Sequence, residues 1–170
     1  WSPNGSEMCS GSKDKKLRLM DPRNQKVTAD VHAHDGVKGL RTCYMGDTGK
    51  IFTVGFSKMS DRQYAVWDPR NLKEALTREN VDTASGLLMP FYDADTNVMY
   101  IAGKGDGNIR YYEVTETGNE MFYLSEFKSA VPAKGMCSMP KTNLKINECE
   151  VQRLMKLDTH QVTPISFFVP

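Results

Sequence analysis

The tetrapeptide Asp-Pro-Arg-Asn occurs twice, at 21–24 and at 68–71, and its 47-residue spacing constrains the fold more than any other feature of the chain. Extending the match towards the N-terminus gives "DKKLRLMD" from Asp14 and "DRQYAVWD" from Asp61, and a third copy, "DGNIRYYE", starts at Asp106. In each copy an aspartate is followed seven residues later by an acid, with a short apolar run between them. A second apolar run precedes each aspartate ("EMCSGS", "IFTVGFS", "VMYIAGKG"), and each of these holds a glycine near its end: Gly11, Gly55 and Gly103. The leading aspartates are 47 and 45 positions apart. Such a period is the size of one supersecondary unit stacked against its neighbours.

Each unit reads as two short strands joined by a polar hairpin that carries the aspartate. Two more runs complete it. "LRTCYM" (40–45) and "LLMPFY" (87–92) precede the second and third hairpin pairs and read as innermost strands; "KVTADV", "EALTREN" and "EMFYLSEF" follow the three pairs. "NLKEALTREN" has some helical look, but the repeat places it on an outer strand. A period near 45, four strands per unit and a Trp-Asp ending on the second copy predict an all-β WD-repeat β-propeller. Asp-Pro-Arg-Asn is then the exit from a third strand, where proline fixes φ and ends the ladder. The expected organisation is a partial blade at 1–36, full blades at 37–86 and 87–133, and a divergent last blade at 134–170. That is about three and a half four-stranded blades of a ring truncated at both ends. "CEVQRLMKL" reads as the third strand of the last blade, with Cys149 where the hairpin aspartate would stand. Open strand edges in such a piece would favour aggregation.

The repeat also assigns side chains. A hairpin aspartate accepts N–H bonds in its turn and can orient a histidine from the preceding loop. "HAHDG" (32–36) supplies that loop for the second unit, so His34, Asp61, Trp67 and the strand hydroxyl of Thr53 are expected to form a buried polar network, with Asp14 and Asp106 at the equivalent hairpin positions. The hairpins open on one face of a propeller. They bring Lys13, Lys15, Lys16, Lys58, Arg62 and Lys104 to that face, which should be basic although the chain carries a formal charge of only +1. The plain alternative is that these are solvated lysines that protect strand edges.

Other chemistry is poorly supported. A charge of +1 gives no global field for nucleic acid. No apolar run approaches the roughly 18 residues of a membrane span. "GKGDG" (103–107) lacks the phosphate-loop spacing and no helix is expected after it. His32 and His34 have no nearby cysteine or histidine to complete a metal site. None of Cys9, Cys43, Cys137 and Cys149 forms a CxxC pair, and reduced thiols are expected. No nucleophile–base arrangement is legible. The expectation is a binding protein without catalysis or cofactor.

Longer segments carry a family resemblance. "WSPNGSEMCSGSKDKKLRLMDPR", "FTVGFSKMSDRQYAVWD", "DTASGLLMPFYDADTNVMYIAGKGDGNIRYYEV", "KGMCSMPK" and "INECEVQRLMKL" followed by "PISFFVP" closely resemble the coronins, over essentially the whole chain. The resemblance implies the second half of a seven-bladed propeller that binds actin filaments (F-actin) at the cytoplasmic cell cortex. It also implies partnership with the Arp2/3 complex and cofilin through the parent protein, and oligomerisation through a C-terminal coiled coil absent from this sequence. A generic WD-repeat scaffold that does not touch actin directly is the competing expectation. The third copy reads Tyr-Tyr-Glu where many WD repeats have Trp-Asp.

Overall fold

The computed structural model describes residues 1–169. Fourteen strands form four antiparallel sheets, and among the described residues the only helical elements are three short 3-10 turns. The first sheet contains β1 (Met8–Gly11), β2 (Lys16–Asp21) and β3 (Lys26–His32), in that order. The second contains β4 (Arg41–Tyr44), β5 (Ile51–Phe56), β6 (Arg62–Trp67) and β7 (Thr77–Asp82); the third, β8 (Leu88–Asp93), β9 (Val98–Gly103), β10 (Ile109–Val114) and β11 (Met121–Phe127). The fourth contains β12 (Gly135–Ser138), β13 (Glu150–Leu157) and β14 (Val162–Phe168). Every connection within a sheet joins neighbours, so each sheet is a simple meander.

The sheets pack face to face, and the strand period of two sorts residues between successive seams. Along β5, Ile51 joins the cluster shared with the first sheet, which includes Leu17, Leu19 and Trp67. Phe52 and Val54 join the cluster shared with the third sheet, which includes Met99, Ile101 and Tyr112. A third cluster, around Tyr100, Ile109, Leu154 and Ile165, joins the third and fourth sheets. Both faces of β5 and β6 are covered, which explains why "IFTVGF" and "QYAVW" show no polar alternation. Each large apolar side chain so buried contributes about 1.5–3 kcal/mol.

Asp-Pro-Arg-Asn proves to be turn chemistry. Asp21 accepts the backbone N–H groups of Arg23 and Asn24 at 2.9 and 3.1 Å, and Asp68 accepts that of Arg70 at 3.0 Å. Residues 71–76 form further turn and bend, so "NLKEALTREN" is neither helix nor all strand; β7 begins only at Thr77.

The last sheet corrects one expectation. β13 is the central strand, flanked by β12 and β14, and the β13–β14 hairpin carries Asp158. "CEVQRLMKL" is therefore the second strand of its unit. Asp158 is the hairpin aspartate and accepts the N–H groups of His160 and Gln161 at 2.7 and 2.9 Å. Cys149 ends a 3-10 turn in the left-handed region, at φ 59°. The long turn-rich loop at 139–149 displaced the alignment by one strand.

Candidate functional site

The repeat hairpins all lie at one end of the sheet stack, where they meet the loops between sheets. Gly36 N–H donates to the Phe56 carbonyl at 2.7 Å, tying an inter-sheet loop to the next hairpin, and Gly105 N–H donates to that of Ala133 at the same distance, tying a hairpin to the loop that follows its own sheet. Three expected site residues stand out here. Lys13, Lys58 and Lys104 are exposed, occupy the hairpins of three successive sheets, and make no ion pair among the described residues. Lys15 is anchored through Nζ to the Asp35 carbonyl at 2.7 Å, and Lys16 is paired with Asp30. Among the described residues Lys13, Lys58 and Lys104 are thus the hairpin lysines with neither an ion pair nor a side-chain hydrogen bond.

Arg62 leaves the expected basic face altogether. Its side chain is 1% exposed. Nε and Nη2 donate to the two carboxylate oxygens of Asp82 at 2.5 and 2.6 Å, and Nη1 lies 2.6 Å from Asp106. A strand's first residue adjoins both its own hairpin and the next sheet, and two carboxylates there make burial of the guanidinium favourable. Arg110 adds a second cation to Asp82. Burial of the Asp82 carboxyl would raise its pKa, but the donations from Arg62 and Arg110 outweigh this and hold it well below the usual range.

The polar network around His34 also differs from expectation in one member. His34, 2% exposed, places Nε2 2.9 Å from Thr53 Oγ1, and Trp67 Nε1–H donates to the same oxygen at 2.9 Å. Thr53 donates onward to the Ala65 carbonyl at 3.3 Å. His34 Nδ1 accepts from Gln63 Nε2 at 2.9 Å. With Thr53 donating to Ala65, the arrangement selects the Nε2–H tautomer of His34 and uses every valence of the hydroxyl. Asp61 does not reach the histidine: it closes its own hairpin, accepting from Ser57 Oγ at 3.2 Å. Gln63, two residues on, takes its place. Burial, with help from the Arg78 charge, lowers the His34 pKa to about 3, so the ring is neutral.

The other hairpin aspartates serve local ends. Asp14 is paired with Arg18 and accepts the Lys16 N–H at 3.2 Å, while Asp106 meets Arg62. "GKGDG" runs from the end of β9 into the hairpin, and β10, a strand, follows. All four cysteines are free; Cys9 and Cys43 are partly buried, whereas Cys137 and Cys149 are exposed. Among the described residues no cluster of three or more His, Cys, Asp or Glu side chains could hold a metal ion. Nor, among them, is any helix long and apolar enough to cross a membrane.

Meanders of three or four strands packed face to face, aspartate hairpins at one end and a Trp–Thr–His network inside one unit define a segment of a WD-repeat β-propeller. No protein-family profile matches the chain. Comparison with individual proteins is decisive: the chain belongs to the coronin family, being 49% identical over all 170 residues to Coronin-A of Dictyostelium discoideum. It also superimposes over its full length, with a TM-score of 0.94 and 34% identity, on the WD40 domain of Toxoplasma gondii coronin. A chain of the mitotic checkpoint complex shares the fold alone, at TM-score 0.74 and 11% identity over 99% of this chain. The chain spans 38% of the length of Coronin-A and 44% of the Toxoplasma chain.

Proposed function

We propose that this propeller segment contributes to actin-filament binding in a coronin that organises and turns over the cytoplasmic actin cytoskeleton at the cell cortex. Each sheet is read as one blade, with junctions at 36/37, 86/87 and 133/134, within a ring of seven. Work with the Arp2/3 complex and cofilin, and oligomerisation through a C-terminal coiled coil, belong in this reading to the parent protein. The role is binding, without catalysis or cofactor. Family membership supports the class of partner. The observation that carries the site is that Lys13, Lys58 and Lys104 are exposed, make no ion pair among the described residues, and stand in the hairpins of three successive sheets. A row of fixed positive charge suits an acidic filament and speeds encounter with it.

The test is co-sedimentation of the intact protein with actin filaments at low and moderate salt. Wild type is compared with a Lys13→Glu, Lys58→Glu, Lys104→Glu variant whose fold is checked by its thermal transition. Reversing three charges should weaken pelleting by about tenfold or more at low salt, with a shallower salt dependence. Equal pelleting would remove this row from the actin site. A wild type that stays in the supernatant at every salt would end the actin reading.

A further inference from the structure

The seam between the first and second sheets opens at its outer rim into a polar cleft of about 350 Å³, lined by His32, Ala33, Asp35, Ser57, Gln63 and Arg78. His32 and Arg78 come from β3 and β7, the outer strands of their sheets. Arg78 is held in place twice: Nη1 donates to the Ala33 carbonyl at 2.7 Å, and the guanidinium lies 5.6 Å from the centre of the Trp67 ring. Yet it meets no carboxylate. Arg18, Arg62, Arg70, Arg110 and Arg153 are each paired with Asp or Glu, while Arg23 and Arg41 are exposed and, among the described residues, have neither an ion pair nor a side-chain hydrogen bond. Among the described residues Arg78 makes no ion pair, and its Nε and Nη2 have no protein acceptor. Partial burial of the guanidinium pulls its pKa downward, against the weaker attraction of Asp35. It is an anchored cation on an exposed residue, without an ion pair.

We propose that this cleft binds a carboxylate of an acidic peptide segment, with Arg78 as its receptor. The Nε–Nη2 edge of a guanidinium matches a planar carboxylate with two parallel hydrogen bonds, and stacking on an aromatic face pre-orients it. The other walls match a peptide better than a free dianion. His32 Nδ1 stands 3.5 Å from Asp35 Oδ1. Gln63 spends its Nε2 on His34, and its Oε1, with no protein donor among the described residues, is free to accept a peptide N–H. A phosphate dianion would face the Asp35 carboxylate with a single guanidinium in support. The cleft adjoins the Lys58 hairpin through Ser57, but its test does not depend on actin.

Trp67 lies directly beneath Arg78 and serves as the reporter. The intact protein is labelled with ¹⁵N-tryptophan, and the Trp67 indole signal is assigned with Trp67→Phe. It is then titrated with acetyl-Gly-Glu-Gly amide, its Gln counterpart, and inorganic phosphate. The expected result is a saturable shift with the Glu peptide alone. Arg78→Lys, which keeps charge but loses the fork and the stacking, should raise the apparent Kd at least fivefold, and Arg78→Met should abolish the response. If Arg78→Met does not fold, Arg78→Lys decides. No shift with the Glu peptide, an equal response in Arg78→Lys, or equal saturation by the Gln peptide or by phosphate would each overturn the proposal.

Discussion

Two neighbouring seams solve the same problem with opposite chemistry. Between the first and second sheets, the top of the seam is closed by the neutral His34–Thr53–Trp67 network with Gln63. Between the second and third, it is closed by charge: Arg62 and Arg110 against Asp82 and Asp106. The neutral network depends on every hydrogen bond being made. The ionic one depends on every charge having a counter-charge. A repeat therefore conserves the place of a clamp without conserving its chemistry, and the two clamps should fail under different conditions.

The largest effect is expected from Arg62→Ala. Removing one partner of a buried ion pair costs about 3–5 kcal/mol, because the charges left behind remain desolvated. Arg110 still reaches Asp82, so the orphan is chiefly Asp106, whose side chain is 18% exposed. Urea unfolding of the intact protein should show a midpoint lowered accordingly. Adding Asp106→Asn should recover part of the loss; if the double variant is instead as unstable as the sum of the two single changes, the pairing is not what holds this seam.

The neutral clamp breaks differently. Thr53→Val keeps shape but leaves Trp67 Nε1–H and His34 Nε2–H without their acceptor, at a cost of about 2 kcal/mol. It also has a pH signature. The folded-state pKa of His34 lies at about 3, below its ordinary 6.5. Its contribution is thus fully present above pH 6.5 and is lost as pH falls, because only the unfolded chain takes up the proton there. The slope approaches about 1.4 kcal/mol per pH unit below that point. Asp82, also lowered in the folded state, loses its contribution only below its ordinary 3.8. Stability measured from pH 7 to 4 should therefore slope with His34 and flatten in His34→Gln, while Arg62→Ala leaves the slope unchanged. An unchanged slope in His34→Gln would mean that another group titrates.

Much of this was readable from the repeat. The aspartate spacing gave the hairpins, and Asp-Pro-Arg-Asn gave the turns, because proline and an aspartate side chain act locally. His34, Thr53 and Trp67 were also legible, since a loop histidine, a strand hydroxyl and a strand-ending indole have fixed places in the unit. What failed was partner choice. Asp61 and Gln63 are both polar and two residues apart, and only packing decides which reaches His34. Arg62 looked like a hairpin cation because its two carboxylates lie 20 and 44 residues further on. Asp158 was overlooked because the loop at 139–149 has no counterpart in the other units. Arg78 carried no signal: an arginine held by a carbonyl and a ring but by no carboxylate is recognised only from its contacts.

A glycine near the end of the second strand in the first three units sharpens the comparison to one atom. A Cβ at Gly55 would stand 2.5 Å from the His34 ring, and one at Gly103 would stand 2.0 Å from Asp106 and 2.5 Å from Arg62 Nη1. At Gly11 it would meet Cδ1 of Leu40, at 2.0 Å, rather than a polar clamp. Gly55 and Gly103 hold the same register position and receive an imidazole and an ion pair from the preceding side, whereas Gly11, paired with Leu17 as Val54 is with Tyr64, stands one residue earlier and faces a leucine of the next sheet. A buried ring hydrogen-bonded on both nitrogens cannot move without breaking the network, whereas a leucine can change rotamer, so Gly55→Ala should cost about 2–3 kcal/mol and Gly11→Ala about 1. Thermal unfolding of the two variants in the intact protein measures the difference. Equal losses would mean that the glycine answers to the backbone of the strand rather than to what is packed against it, and the contrast between the clamps would then not extend to the position they share.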